Sequence, residues 1–290
     1  MSKSLTSMDP ATQAASAAQE AAAHAGVRIE KLEDIKAIEE ASLLFNRVWS
    51  TPENQPLITA AMLRALSHSG NYVYGAYDQT EMVGAIVGFI GYGKGSLLLH
   101  SHMTGVTTKL QGKSVGFALK QHQRAWALER GIELVTWTFD PLVRRNAYFN
   151  LTKLGASVTA YYPSFYGEMN DGINEKDETD RVLIEWHLDT PQATEASVHR
   201  LVPPELGDPD RSDTKIALAV GTDGAPIEQQ RNARTLLVCV PEDIVELRHR
   251  DEDLAHRWRL SLRNVLGRAL NDGYAAVGMT RSGFYVLEQT

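Results

Sequence analysis

HSHMTGVTTKLQGKSVGFALKQHQRAWALERG, residues 100 to 131, changes its hydrophobic period in the middle. Up to Val106 the residues alternate as in a strand. From Ser114 or Val115 to Arg130 they follow helical spacing, and Gly131 closes the run as a residue suited to the left-handed conformation past a helix end. The loop between is small, polar and basic. A loop of this kind aims backbone N–H groups and the positive end of a helix dipole at one point, which suits a pyrophosphate. Gly112 and Gly116 let the backbone approach an anion closely. An ordinary strand-to-helix turn has the same local appearance, so the surrounding order of elements must decide between the two.

Upstream, Val27 to Leu32 alternates as a short strand, and Asp34 to Trp49 carries Ile35, Ile38, Leu43, Phe45 and Val48 at helical spacing. Pro56 opens a second helix over Leu57 to Ser67. Three extended runs follow, Asn71 to Tyr77, Met82 to Ile90 and Ser96 to Val106, joined by polar or glycine-rich turns as in an antiparallel meander. Gly91-Tyr92-Gly93-Lys94-Gly95 joins two strands and opens no helix, so it reads as a hairpin turn rather than a phosphate loop. Downstream come a strand over Ile132 to Phe139, a short helix over Asn146 to Leu154, and strands over Ala156 to Tyr162 and Asp180 to Leu188. This order predicts an α+β sheet covered by helices, with a parallel pair where the helix after Ser114 crosses over.

Composition divides the chain further. Residues 1 to 26 read as a flexible or helical extension, with no apolar core of the kind a secretory signal carries. Residues 27 to 190 form the first domain. Residues 191 to 234, rich in Pro, Asp, Thr and Gly, read as linker and loops. Residues 235 to 290 read as a smaller α/β half-domain of one strand, a long helix over Asp243 to Asn271 and a hairpin. In that helix, arginines 248, 250, 257, 259, 263 and 268 are interleaved with Asp251, Glu252 and Asp253, a pattern that reads as a solvated face, or, at Arg259 and Arg263 one turn apart, as a grip on an acidic substrate or a partner chain.

The 290 residues hold 29 Lys and Arg against 36 Asp and Glu, net −7, which argues against a nucleic-acid binder with a broad basic field. No run reaches the ~18 apolar residues of a membrane span. The single cysteine, Cys239, lies in the apolar run LLVCVP, so it reads as a buried small hydrophobe in a reducing compartment. The nine histidines lack metal-ligand spacing, so no metal is expected. The expected location is the cytoplasm.

The run Gln111-Gly112-Lys113-Ser114-Val115-Gly116 resembles motif A of the GNAT superfamily of acyl-CoA N-acyltransferases, Gln/Arg-x-x-Gly-x-Gly/Ala, with Ser114 in place of the first glycine. NAYFNLTKLGA, residues 146 to 156, is similar to the last core helix of that family, and WTFDP, NAYFN and KLGA together resemble a branch of acetyltransferases. The resemblance spans most of residues 27 to 190. It implies a GNAT-type mixed sheet whose central strands, one ending at Val106 and one over Ile132 to Phe139, splay apart. It implies acetyl-CoA or another acyl-CoA as co-substrate, held by Thr104, Gly105, Val106, residues 111 to 116 (Gln111, Gly112, Lys113, Ser114, Val115, Gly116) and Asn146. The acceptor implied is a small-molecule amine that attacks the thioester directly.

The acid and base are less legible. Where many family members carry a tyrosine, this chain has Leu151. Tyr148 lies one turn earlier on the same helix, as a candidate acid or as a packed aromatic. His100 and His102 alternate on the strand leading into the loop and share a face, as a candidate base or as two polar residues on a wet strand. Glu133 and Asp140 flank the other splayed strand, and Asp140, before a proline, reads as ordering the turn. Tyr161, Tyr162, Phe165 and Tyr166 could line an acceptor pocket or pack under a long loop. The alternatives to the enzyme are a catalytically weak CoA-binding regulatory module and a chain that works chiefly through a homodimer.

Overall fold

The computed structural model describes residues 9–51, 55–110, 112–167, 177–205, 213–229 and 232–289. In chain order the elements are helix α1 (Pro10–Ala25), strand β1 (Arg28–Lys31), helices α2 (Ile35–Trp49) and α3 (Ala60–His68), and strands β2 (Tyr72–Asp78), β3 (Glu81–Gly93) and β4 (Ser96–Val106). Helix α4 (Val115–Glu129) and strand β5 (Leu134–Phe139) follow, then helix α5 (Arg144–Ala147) running into a π-helical turn (Tyr148–Lys153), and strands β6 (Ser157–Tyr162) and β7 (Arg181–His187). Helix α6 (Pro191–Ser197), strands β8 (Thr214–Val220), β9 (Pro226–Glu228) and β10 (Thr235–Cys239) come next. Helices α7 (Ile244–Arg250), α8 (Glu252–Leu262) and α9 (Arg268–Asn271), with a π-helical turn (Arg263–Gly267) between the last two, precede strands β11 (Tyr274–Met279) and β12 (Phe284–Gln289).

The chain forms two compact units, residues 1–135 with 187–198, and residues 136–186 with 199–290. In the first, β1 to β4 form an antiparallel meander in sequence order, as the turn chemistry predicts. One face of the meander carries α2 and α3, whose Ile38, Leu44, Phe45 and Leu63 meet Val73, Ala85, Val87 and Met103 in a continuous core. The other face carries α4: a side chain added at Gly84 would touch Val115 and Leu119. The N-terminal extension is helical. Asp9 caps α1, Pro10 opens it, and its buried alanines pack in this unit. Arg124 of α4, fully buried, is satisfied by the Leu188 carbonyl (2.8 Å), Gln13 (2.8 Å) and Thr194 (3.2 Å).

In the second unit the strand order is β5-β7-β6-β11-β12-β10-β8-β9; from β7 to β9 the neighbours are antiparallel except for β8 beside β10. The fold is α+β with a mixed sheet, as expected.

Several elements differ from the sequence reading. The second helix starts at Ala60, because Thr59 rather than Pro56 supplies the cap, accepting from the Met62 amide at 3.2 Å. The stretch read as linker contains α6, β8 and β9. The long terminal helix is broken at Asp251, whose extended backbone ends α7 while its carboxylate caps α8. Arg250, Arg257 and Arg268 are exposed, as a solvated face requires, but the other three arginines turn inward. Arg248 and Arg259 are 3% and 0% exposed at the side chain, and both pair with Asp140 and Asp177 at 2.6 to 2.8 Å. Arg263 pairs with Glu178 (2.6 Å) and Asp180 (2.7 Å).

Candidate active site

Strand β4 does not alternate evenly. Its pairing with β3 slips between Val87 and Gly88: Met103 faces Val87 and Ser101 faces Gly88, which leaves His102 as an extra residue, a β-bulge. Below the bulge, Met103 and Gly105 turn to α2, where a side chain added at Gly105 would strike Phe45, Trp49 and Leu44. Above it, Ser101 turns to α4 and is buried, its hydroxyl accepting from Lys120 Nζ at 2.8 Å. His100 and His102 therefore lie on the face opposite Lys120. Their rings are 6.3 Å apart, and Phe89 on β3 stands 5.1 Å from one and 6.0 Å from the other.

The pair that alternation predicted is thus together in the structure beside an aromatic ring, His100 half-buried and His102 exposed. Burial pushes His100 down to about 4, with His102 and then Lys120 adding to the shift, and burial alone lowers His102. Both rings are neutral at physiological pH, the state in which an imidazole can accept a proton.

The loop after β4 is held at both ends. The Thr107 amide donates to the Val83 carbonyl (2.9 Å), a 3₁₀ turn runs over Thr108–Leu110, and the Lys113 amide returns to Leu110 (3.2 Å). Gly112 and Ser114 both have left-handed backbone, φ 82° and 63°. Ser114 does not cap the helix: with this backbone its hydroxyl makes no cap bond. The left-handed φ explains why glycine suits the position. The first bond of α4 runs from Ala118 to the Ser114 carbonyl (2.9 Å), so the amides of Val115 and Gly116 precede the helical ladder. A Cβ at Gly112 would meet nothing within 4 Å, and one at Gly116 only Val106, at 3.9 Å. Thr107 Oγ1 is buried with no partner. Free amides, open space and an unsatisfied hydroxyl around one loop fit the phosphates and polar arm of a CoA thioester. Gln111 lies outside the described residues. Ser114→Gly relieves the left-handed strain of ~1–2 kcal/mol against a flexibility cost of ~0.5–1 kcal/mol. A slight rise in thermal midpoint with unchanged acetyl-CoA affinity is the expected result, checked by melting and calorimetry.

Tyr148 and Asn146 belong to the second unit. Tyr148 is half-buried at the start of the π-helical turn, its ring 6.0 Å from Lys153 Nζ, and Asn146 is exposed at the end of α5. Leu151 is core, 1% exposed. Asp140 orders its turn, accepting from the Leu142 amide at 3.0 Å, as expected. Its ion pairs with Arg248 and Arg259 were not foreseen. Of the aromatic cluster, Tyr161 donates to Asp180 and packs beside Gly267, while Tyr162, Phe165 and Tyr166 form an exposed ring chain. Glu133 offers its carbonyl to the Leu188 amide (2.9 Å). Cys239 is buried and its thiol pushed up by burial, in keeping with a small hydrophobe. Among the described residues no group of His, Cys, Asp and Glu could hold a metal ion, and no helix is long and apolar enough to cross a membrane.

Residues 32–155 match the acetyltransferase (GNAT) family. No curated protein matches the chain. Among solved structures, the chain is similar to the ribosomal-protein-S18-alanine N-acetyltransferase of Escherichia coli, at 12% identity and TM-score 0.45 over 57% of this chain and 95% of that one. It is similar to Arabidopsis thaliana Naa50 bound to a CoA bisubstrate analogue (18%, TM-score 0.43, 55% and 97%). It is also similar to a soil metagenomic aminoglycoside acetyltransferase in complex with sisomicin (23%, TM-score 0.36, 40% and 78%). The family match and the order of elements through the loop at 107–116 agree on a GNAT acetyltransferase domain over residues 32–155.

Proposed function

We propose that this protein transfers an acyl group, most simply acetyl, from CoA to the amine of a small molecule, with the loop from Gly112 to Gly116 as the pyrophosphate seat. The observation that carries the reading is the pair of left-handed residues, Gly112 and Ser114, opening α4 with clear space at both glycines. In this reading Thr104, Gly105 and Val106 line the pantetheine arm, and the amides of residues 112 to 116, with Lys113 beside them, hold the phosphates. The thioester supplies an activated carbonyl. The chain's part is to hold the amine against it and to accept the amine proton at His102 or His100. Tyr148 is the candidate proton donor for the leaving thiolate, and Asn146 an outer cofactor contact. The buried Cys239 supports a reducing, cytoplasmic setting. A homodimer is a further element of the reading, checked by mass in solution.

Titration calorimetry with acetyl-CoA tests the seat. Gly116→Trp adds an indole where only Val106 is near, so the variant should fold and lose at least a hundredfold in affinity. Intact binding by the folded variant would remove the seat from this loop. Leu151, buried in the core where a phenol would serve, supports the alternative of a CoA-binding module without efficient chemistry. Thiol release with a panel of amines separates the two: release requires the enzyme, and binding without release favours the module.

The lowered histidines predict the acid limb of the rate. Because burial holds His100 near 4 and His102 below its ordinary value, the acid limb of kcat/KM should lie below that ordinary value, and near 4 where His100 is the base. Replacing the working histidine by Gln should cost ~10²-fold or more in kcat and remove that limb. A limb near 6.5 in the wild type would exclude both residues as the base.

A further inference from the structure

Helix α4 carries Lys120, Gln121, Gln123 and Arg124, all polar and all buried. Arg124 is accounted for by its three partners in the unit. Lys120 is harder to explain. Its side chain is 4% exposed, and its Nζ donates to Ser101 Oγ at 2.8 Å and to Gln123 Oε1 at 3.3 Å. A methionine would fill the same channel without the cost of desolvating an amine. Burial pushes the ammonium down to about 7. The lowered value means that the unfolded chain takes up this proton as pH falls from 10.5 while the folded one lags. The lysine therefore costs stability at pH 7 and below. Groups kept at a stability cost concentrate at functional sites.

Ser101, the partner of Lys120, lies between His100 and His102 in sequence and at the upper edge of the bulge. The lower half of β4 buries its odd-numbered residues against α2, while above the bulge Leu99 and Ser101 are buried on the other side: Gly88, opposite Ser101, lies within 3.3 Å of both Leu99 and Gln123 at the position of an added Cβ. If the bulge closed, even alternation from Met103 would carry Ser101 to the α2 face and both histidines to the α4 face. The bond from Lys120 ties the Ser101 side chain to α4.

We propose that Lys120 is a positioning residue whose bond to Ser101 holds the β4 bulge, and through it keeps His100 and His102 together on the face opposite α4. Its effect on turnover rests on the reading of those histidines as the base; its effect on their placement does not.

Lys120→Met and Ser101→Ala test the clamp from its two ends, with Ser101→Thr, which keeps the hydroxyl, as the conservative control. The expected result has four parts. Lys120→Met melts a few degrees higher than the wild type at pH 7. It and Ser101→Ala bind acetyl-CoA within twofold of the wild type, shift the ring NMR signals of both His100 and His102, and lower kcat at least tenfold. The double variant is no worse than either single one, because both remove the same bond. Ser101→Thr keeps the wild-type signals and rate. Ring signals of both histidines left in place by Lys120→Met and Ser101→Ala overturn the clamp, as does a lower melting point for Lys120→Met, which would make the lysine an ordinary structural group. Shifted rings in a protein whose wild type releases no thiol would uphold the clamp and instead remove the transfer chemistry.

Discussion

A chain ending at Val198 is expected not to fold its residues 136–186. Those residues belong to one compact unit with residues 199–290, and the junction is both a sheet edge and a set of charges. Strand β6 pairs with β11 through Val158 and Ala276, and Thr152 of the first π-helical turn donates to the Met279 carbonyl at 2.9 Å. Tyr285, fully buried, donates to the Pro141 carbonyl at 2.7 Å. Truncation removes Arg248, Arg259 and Arg263 together, leaving Asp140 and Asp180, 7% and 0% exposed, as buried carboxylates without their guanidiniums. Stranding one partner of a buried pair costs ~3–5 kcal/mol, and several such losses exceed the ~5–15 kcal/mol that holds a whole domain. Circular dichroism and limited proteolysis of the truncated chain give the answer: loss of cooperative melting and cleavage within 136–186 are expected. A truncated chain that melts cooperatively and still binds acetyl-CoA would show that the C-terminal part is a detachable accessory.

The sequence conveys the meander, the loop and α4 because each has a local cause. Alternation, polar turns and a helix stop at Gly131 are read within a few residues. The ion network has no such local sign. Arg248 and Arg259 stand among Asp251, Glu252 and Asp253 at spacings that suit a wet helix, whereas the carboxylate they share, Asp140, is 108 and 119 residues away. The break at Asp251 was legible in principle, since an aspartate followed by acidic residues is a helix start as well as part of a charged face. So was α6, with Thr190 as its cap and Pro191 behind it. The bulge at His102 had no signal, because a slip of pairing by one residue shows only against the partner strand. Nor had the π-helical turn at Tyr148–Lys153, where the sequence pattern suits a regular helix.

Asp140→Asn should destabilise the second unit by about 3–5 kcal/mol at pH 7, more than any surface change in that unit. Asp140 accepts from Arg259 at two oxygens (2.8 Å each) and from Arg248 (2.6 Å), while Asp177 receives the same two guanidiniums. The amide substitution keeps the shape, and with it the contact to Leu142, but removes one of two negative charges from a buried set that holds two positive ones. Burial by itself would raise the carboxyl of Asp140. Arg259, and after it Arg248, outweigh that and hold it well below the usual carboxylate range. Its stabilising contribution is therefore complete above the unfolded value of ~3.9 and is lost as pH falls from there toward the lowered folded value. Urea unfolding at pH 7 and at steps below pH 4 separates the two parts of the claim. The variant should start lower and lose less on acidification than the wild type. Equal stability of the two proteins at pH 7 would mean that Asp177 alone satisfies both arginines, and that the network is not what joins residues 136–186 to the helices after Asp243.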